Sequence, residues 1–260
     1  MATDLRITIF QQDIEWENKD ANLLSIHNII ASHSQDSDII IMPEMCTTGF
    51  SMNSRKLAEA NDGKTITQLR QWSEEYGVAL CGSFIACEND QYYNRAFFIT
   101  PQEYYSYDKR HLFRMGEEDR YFSPGNKKLI VEHKGFNICL LICYDLRFPV
   151  WSRNVNNEYD LLIYVANWPE SRINVWNSLL SARALENMCY VCGTNRVGID
   201  GNKLKYNGHS KIINARGEEL GLIEHNNSCT KTITISKDEL IKFRNKFPTW
   251  KDSDKFDIKV

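Results

Sequence analysis

The sequence predicts an α/β fold, and three observations carry that expectation. Short runs of apolar and β-branched residues recur from Leu5 to Ile235. Longer segments with apolar residues at helical spacing stand between many of them, and Gly, Pro and Asn punctuate the changes from one period to the other. Helices on the outer faces of stacked sheets would bury all of these strands. No low-complexity linker, internal repeat or composition break interrupts the pattern, so residues 1–260 read as a single domain, and 42% hydrophobic residues supply material for its core.

Residues 5–10 form the first strand. A helix follows over 17–35, where Leu23, Leu24, Ile26, His27, Ile30 and Ala31 recur near the 3.6-residue period. Residues 38–42 make a strand that stops at Pro43. After a loop with Gly49 and Gly63, 66–76 is helical, with Ile66, Leu69, Trp72 and Tyr76 on one side and Gly77 as its stop. Strands then cluster at 78–86, 93–99, 103–107, 129–132 and 136–142. A short helix is expected from about Pro149, then a strand at 161–165, a helix at 175–188 and a strand running on through 188–197. Strands at 209–214 and 230–235, a helix at 237–244 and a polar tail complete the chain.

Composition narrows the function. Acids and bases are interspersed at a formal net charge of -3, so no basic face points to nucleic acid and no polybasic tract to a membrane surface; the expected partner is a small molecule. The apolar run at 5–10 is too short, and too soon followed by Gln11, Gln12 and Asp13, for a signal peptide or a membrane span, which places the protein in the cytoplasm. Eight cysteines are sparse for a disulfide framework, and Cys81 and Cys139 sit inside apolar runs, so reduced thiols are expected. Cys189 and Cys192 spell C-x-x-C and, with Cys139 and Cys143, suggest a Cys₄ zinc site. Residues three apart in a strand point to opposite faces, however, and no Gly or Pro knuckle lies within the pair, so both are read as core cysteines.

Three reactive residues occupy equivalent places. Glu44 follows 39–43, Lys109 follows 104–108 and Cys143 follows 138–142, each at the end of a strand-like run. Active sites in α/β sheets gather at strand ends on one edge, so three such strands side by side would bring a carboxylate, an ammonium and a thiol together. Each has an ordinary alternative: Glu44 as a solvated loop acid, Lys109 as one of the surface bases with Arg110 and Arg114, Cys143 as one more buried cysteine. The chemistry unites them. A thiol is a poor nucleophile until deprotonated, and a neighbouring carboxylate, Glu44, can take its proton. Attack on an amide or nitrile carbon puts negative charge on oxygen or nitrogen, which the Lys109 ammonium and the backbone N–H of Tyr144 would stabilise.

Met42-Pro43-Glu44, Tyr107-Asp108-Lys109-Arg110-His111-Leu112-Phe113 and Cys143-Tyr144-Asp145-Leu146-Arg147-Phe148-Pro149 together resemble the nitrilase superfamily of carbon-nitrogen hydrolases, in order and over nearly the whole chain. The resemblance implies a triad of Glu44, Lys109 and Cys143 on a four-layer α-β-β-α sandwich that pairs into a homodimer, with no metal or organic cofactor. Many members carry a second glutamate between the lysine and cysteine motifs. Glu117 and Glu118 are both candidates, and the spacing that family members show in this loop, counted back from Pro124-Gly125, implies Glu118, which would orient Lys109 and the substrate amide; the alternative is an acidic surface loop with Asp119.

Within the superfamily, Arg147-Phe148-Pro149-Val150-Trp151-Ser152-Arg153-Asn154, Tyr164-Val165-Ala166-Asn167-Trp168-Pro169 and Asn195-Arg196-Val197-Gly198 resemble the omega-amidase branch. That resemblance implies hydrolysis of the terminal amide of 2-oxoglutaramate and 2-oxosuccinamate to the 2-oxo diacid and ammonia. Such a substrate has a fixed carboxylate, for which Arg147, four residues after the nucleophile, offers a planar bidentate donor. Arg147 reads equally as a structural partner of Asp145 or as an interface residue. Asn167 and Trp168 are expected in the pocket wall, with core packing as the other account of Trp168. Two further functions stay open on sequence alone. One is an amidase of the same superfamily acting on deaminated glutathione, an N-carbamoyl compound or a nitrile; the other is a catalytically silent binding protein with this fold.

Overall fold

The computed structural model describes residues 3–259. Its first half contributes β1 (Asp4–Gln11), α1 (Lys19–His33), β2 (Ile39–Ile41), α2 (Ser54–Leu57), α3 (Lys64–Tyr76), β3 (Ala79–Glu88), β4 (Gln91–Ile99), β5 (Tyr104–Asp108) and α4 (Glu118–Tyr121). The second half contributes β6 (Ile130–His133), β7 (Phe136–Ile142), β8 (Leu161–Ala166), α5 (Ile173–Asn187), β9 (Tyr190–Asn195), β10 (Val197–Ile199), β11 (Lys205–Asn207), β12 (Lys211–Ile213), β13 (Glu219–Leu220), β14 (Cys229–Ser236) and α6 (Lys237–Lys246). Two six-stranded sheets result, ordered β14-β1-β2-β3-β4-β5 and β13-β12-β9-β8-β7-β6, and β10 pairs with β11 in a separate ribbon. The centres are parallel: β1, β2 and β3 in one sheet, β7, β8 and β9 in the other.

A strand presents alternate residues to opposite faces, and that alternation sets the layers. In β2, Ile39 and Ile41 enter a core shared with Ile138, Leu140 and Ile142 of β7, whereas Ile40 joins Ile26 and Ile30 of α1 and Ile66 and Leu69 of α3. In β9, Cys192 lies near Cys81 of β3, while Gly193 sits under α5, where a Cβ would come within 2.5 Å of Leu180. The order is therefore helices, sheet, sheet, helix, as expected. Central strands buried on both faces cannot alternate apolar with polar, which is why 39–41, 138–142 and 161–166 are continuously apolar.

Element boundaries differ from expectation where capping and proline intervene. α1 starts at Lys19 because the Asn18 side chain accepts the Ala21 N–H at 3.2 Å. α3 ends as expected, at Gly77 with φ 65°. No helix starts at Pro149: the chain instead makes a 3-10 turn over Cys143–Arg147, and Phe148, steered away from helical angles by the following proline, ends it at φ -115°, ψ 89°. The strand expected over 188–197 begins only at Tyr190, because Met188 closes α5 in the left-handed region at φ 46°. No described helix is long and apolar enough to cross a membrane.

At the opposite end of β2 from Glu44, Asp38 ties the two sheets. It accepts from Arg6 of β1 through the backbone N–H (2.7 Å) and the guanidinium (2.9 Å), and from Lys134 in the β6–β7 turn (2.5 Å). Burial works against its ionised form, but Arg6 and Lys134 outweigh it and hold the carboxyl at about 2. A folded pKa below the unfolded value gives stability that is complete above the unfolded pKa, near 3.8, and is lost as pH falls through about 2. Asp38→Asn is expected to lower the urea midpoint near neutral pH, with the gap from wild type closing steadily in that acid window. A gap that stays constant down to the acid limit would show the ion pairs to be idle. The Lys134 side chain is 52% exposed, so added salt should narrow the gap as well.

Candidate active site

Glu44, Lys109 and Cys143 converge, but not on three adjacent strands. β3 and β4 separate β2 from β5, and β7 belongs to the other sheet. The residues meet because parallel strands of both sheets end at one edge of the sandwich, where loops bridge the gap between them. Asn167, following β8, makes that crossing. Its backbone N–H donates to Glu44 Oε2 at 2.8 Å and its side-chain Nδ2 to the Glu44 carbonyl at 2.5 Å.

Glu44, Lys109 and Glu118 form a buried cluster. Glu44 Oε1 accepts from Lys109 Nζ at 2.8 Å and from Asn94 Nδ2 at 2.7 Å. Glu118 accepts from Lys109 Nζ at 3.0 and 2.9 Å, from Asn94 Nδ2 at 3.0 Å and from the Phe113 N–H at 2.6 Å. Glu118 is thus the second glutamate of the cluster. Glu117 takes φ 58° at the turn before α4 and points outward, pairing with Arg120 at 2.5 Å. Lys109 is seated by its own backbone: its N–H donates to Asn94 O at 3.0 Å, and Gly125 N–H to Lys109 O at 2.9 Å. Only glycine permits that approach, since a Cβ at Gly125 would lie 2.1 Å from the Asp108 carbonyl oxygen.

Asn94 was not singled out from sequence, although an amide inside a largely apolar strand was the available signal. Its orientation is dictated by a chain of donors. The Met45 N–H donates to Ser83 Oγ at 2.7 Å, Ser83 Oγ donates to Asn94 Oδ1 at 3.0 Å, and the Asn94 NH₂ is left facing both carboxylates.

Cys143 sits where β7 gives way to the turn, in the left-handed region at φ 42° and 9% exposed. Its thiol lies close enough to the Glu44 carboxylate to feel its charge, and Sγ lies 3.9 Å from the Asn167 carbonyl. Burial pushes the thiol pKa well up and the Glu44 charge pushes it further, against the opposing pull of Lys109, so the resting nucleophile keeps its proton. Burial alone would lower the Lys109 pKa, but Glu118 and Glu44 outweigh it and raise it. Burial raises the Glu118 carboxyl, with Lys109 opposing and Glu44 adding.

Asp145 braces the turn. Its Oδ2 accepts from the Ile142 N–H (3.1 Å) and the Tyr107 hydroxyl (2.8 Å), and its Oδ1 accepts from the His111 N–H (3.0 Å) and lies 2.8 Å from His111 Nδ1. Asp145 is therefore engaged by the lysine segment rather than by Arg147, which removes the structural reading of Arg147 as its partner. The Arg147 guanidinium lies over the Trp168 ring at 5.2 Å from its centroid.

A cavity of about 260 Å³ opens over Cys143, with Tyr144, Arg147, Asn167 and Trp168 in its wall as expected. Trp168 fits both of its readings, for it also packs on Trp176 with centroids 5.5 Å apart. Arg172, Asp200 and Tyr206 line the cavity too and were missed, because the turns and the strand that carry them reach it only through the fold. Cys189 and Cys192 are fully buried in the core, and burial pushes the Cys192 thiol up to about 12.

The Carbon-nitrogen hydrolase family matches this chain over residues 6–245. The chain is 40% identical over 253 residues to Omega-amidase YafV of Escherichia coli (strain K12), covering 97% of this chain and 98% of that protein. It is 32% identical over 219 residues to 2-oxoglutaramate amidase of Bacillus subtilis (strain 168), covering 82% and 84%. The crystal structure of XC1258 from Xanthomonas campestris, a CN-hydrolase superfamily protein, superposes with a TM-score of 0.96 at 38% identity, over 98% of this chain and 99% of that one. With a buried carboxylate, ammonium and thiol gathered at the edge of an α-β-β-α sandwich and the family pattern running along almost its full length, the chain belongs to the carbon-nitrogen hydrolase family.

Proposed function

We propose that this protein is an omega-amidase, hydrolysing the terminal amide of 2-oxoglutaramate and 2-oxosuccinamate through a thioester on Cys143. One observation carries the substrate reading: Arg147, without an acidic partner among the described residues, lines the same cavity as the Cys143 thiol. A fixed carboxylate at one end of the substrate and an amide at the other match that pair. The names of the relatives from Escherichia coli and Bacillus subtilis support the same substrate class.

The chemistry proceeds from the positions described. Since Cys143 rests as a thiol, Glu44 takes its proton as Sγ attacks the amide carbon. Negative charge moves to the amide oxygen. The Lys109 ammonium, positioned by Glu44 and Glu118, and the backbone N–H of Tyr144 stabilise the oxyanion. Collapse breaks the C–N bond, and the nitrogen leaves as ammonia with the proton held by Glu44. Water, deprotonated by the same carboxylate, then attacks the thioester, and the thiol is restored with the 2-oxo diacid. Glu118 holds Lys109 in place throughout. The resemblance of the sequence extends the proposal to a cytoplasmic homodimer.

Ammonia release from 2-oxoglutaramate is expected to exceed that from glutamine, which lacks the oxo group, by at least about 10²-fold in kcat/KM. Equal rates would leave only an amidase of broad scope.

A further inference from the structure

Arg147 is not the only guanidinium in the cavity. Arg172 lines it as well, half-buried in the turn ahead of α5. That turn is fixed: the Arg172 N–H donates to Pro169 O at 3.0 Å, and the Trp168 indole donates to Arg172 O at 2.9 Å. The Arg172 side chain lies over the Phe113 ring at 5.1 Å from its centroid, and Arg147 lies over the other face-forming aromatic, Trp168. Phe113 and Trp168 both line the cavity, so their positions bring the two charged heads to its wall.

Neither guanidinium forms an ion pair or donates a hydrogen bond to protein among the described residues. The other charges there are spoken for. Lys109 is held by Glu44 and Glu118. Asp200 accepts from the Asn202 and Leu204 N–H groups at 2.8 and 2.9 Å and from the Tyr206 hydroxyl at 2.9 Å. Apart from Lys109 and the Tyr144 N–H, which serve the oxyanion, the unpaired charged donors of the cavity are therefore those of two arginines, each held over an aromatic ring that leaves its N–H groups free.

We propose that Arg172 is a second specificity-determining residue, forming with Arg147 a two-guanidinium seat for the carboxylate end of the substrate. This rests on the amidase reading of Cys143 but not on the particular amide. Two forks present donors to both oxygens of a carboxylate and to an adjacent oxo group, whereas one fork is filled by the carboxylate alone. The seat therefore selects small linear amides with an anionic far end and disfavours neutral ones.

The test compares Arg172→Met, which keeps a flexible apolar stem against Phe113, with wild type on 2-oxoglutaramate, succinamate and butyramide. Arg172→Met is expected to lower kcat/KM for the two anionic amides about 10- to 100-fold, mainly through KM, and to change butyramide less than about 3-fold. A binding measurement independent of turnover accompanies it: calorimetric titration of 2-oxoglutarate into Cys143→Ala and into Cys143→Ala/Arg172→Met, with affinity at least about 10-fold weaker in the second. The proposal is overturned if all three amides slow alike, if the anionic pair is unaffected, or if 2-oxoglutarate binds both proteins equally or neither. Should wild type turn over succinamate but not 2-oxoglutaramate, and Arg172→Met lose that activity, the seat stands and the omega-amidase reading falls.

Discussion

Cys143→Ala should release ammonia from 2-oxoglutaramate at least about 10⁴-fold more slowly than wild type, while folding to the same structure. No other cysteine among the described residues lines the cavity. Cys81, Cys139, Cys189 and Cys192 are fully buried in the core, and Cys46 is closed off as well, its thiol pushed up to about 12. Alanine and cysteine carry the same Cβ penalty in the left-handed region, so the substitution leaves the turn's strain as it was. Glycine removes it, and Cys143→Gly should be inactive yet more stable than Cys143→Ala by about 1 kcal/mol. Ammonia assay and urea titration of the two variants read both outcomes. Residual turnover near the wild-type rate in either would remove Cys143 from the mechanism.

Lys109→Met should cost both activity and stability. Turnover should fall at least about 10³-fold with loss of the oxyanion donor. Stability at neutral pH should fall by about 3–5 kcal/mol, because Glu44 and Glu118 are left facing each other in the interior with Asn94 as their common donor. The stability loss should reverse on acidification. Burial already raises the Glu118 carboxyl in the wild type, and Lys109 is what opposes that rise. A carboxyl whose folded pKa exceeds its unfolded value binds more protons folded than unfolded between the two. Its favourable contribution is complete below the unfolded pKa and is lost as pH rises through the folded one. Urea midpoints should therefore show the variant regaining stability as pH is lowered toward the ordinary carboxylate range, more steeply than wild type. A variant less stable at the acid end would contradict the cluster.

Much of this site is written locally. Glu44, Lys109 and Cys143 each follow a strand, and strand ends are read from apolar runs and their breakers, which depend on neighbours in sequence. Glu118 was preferred over Glu117 only by the family's loop spacing, and the left-handed turn at Glu117 is the backbone event that sends one inward and the other out. Asn94 was legible only as an oddity, since what gives an amide inside a strand its meaning is the Ser83 hydroxyl on the neighbouring strand and two carboxylates from distant loops. Arg172 carried no signal at all: an arginine after Pro169-Glu170-Ser171 looks like any surface base until Trp168 and Phe113 bring it to the cavity.

The sequence by itself determined most of the longer elements, their order and the residues with the chemistry to act, because periodicity, capping and turn-forming residues are local properties. It misjudged how the reactive residues meet, as neighbours in one row of strands. Only the tertiary structure decided that they face each other across two sheets, that Asp145 is taken by Tyr107 and His111, and that Arg147 is left without an acid. The physical reason is that pairing of strands and burial of charge are settled between segments far apart in the chain, where a single side chain's partner depends on packing that no local pattern records.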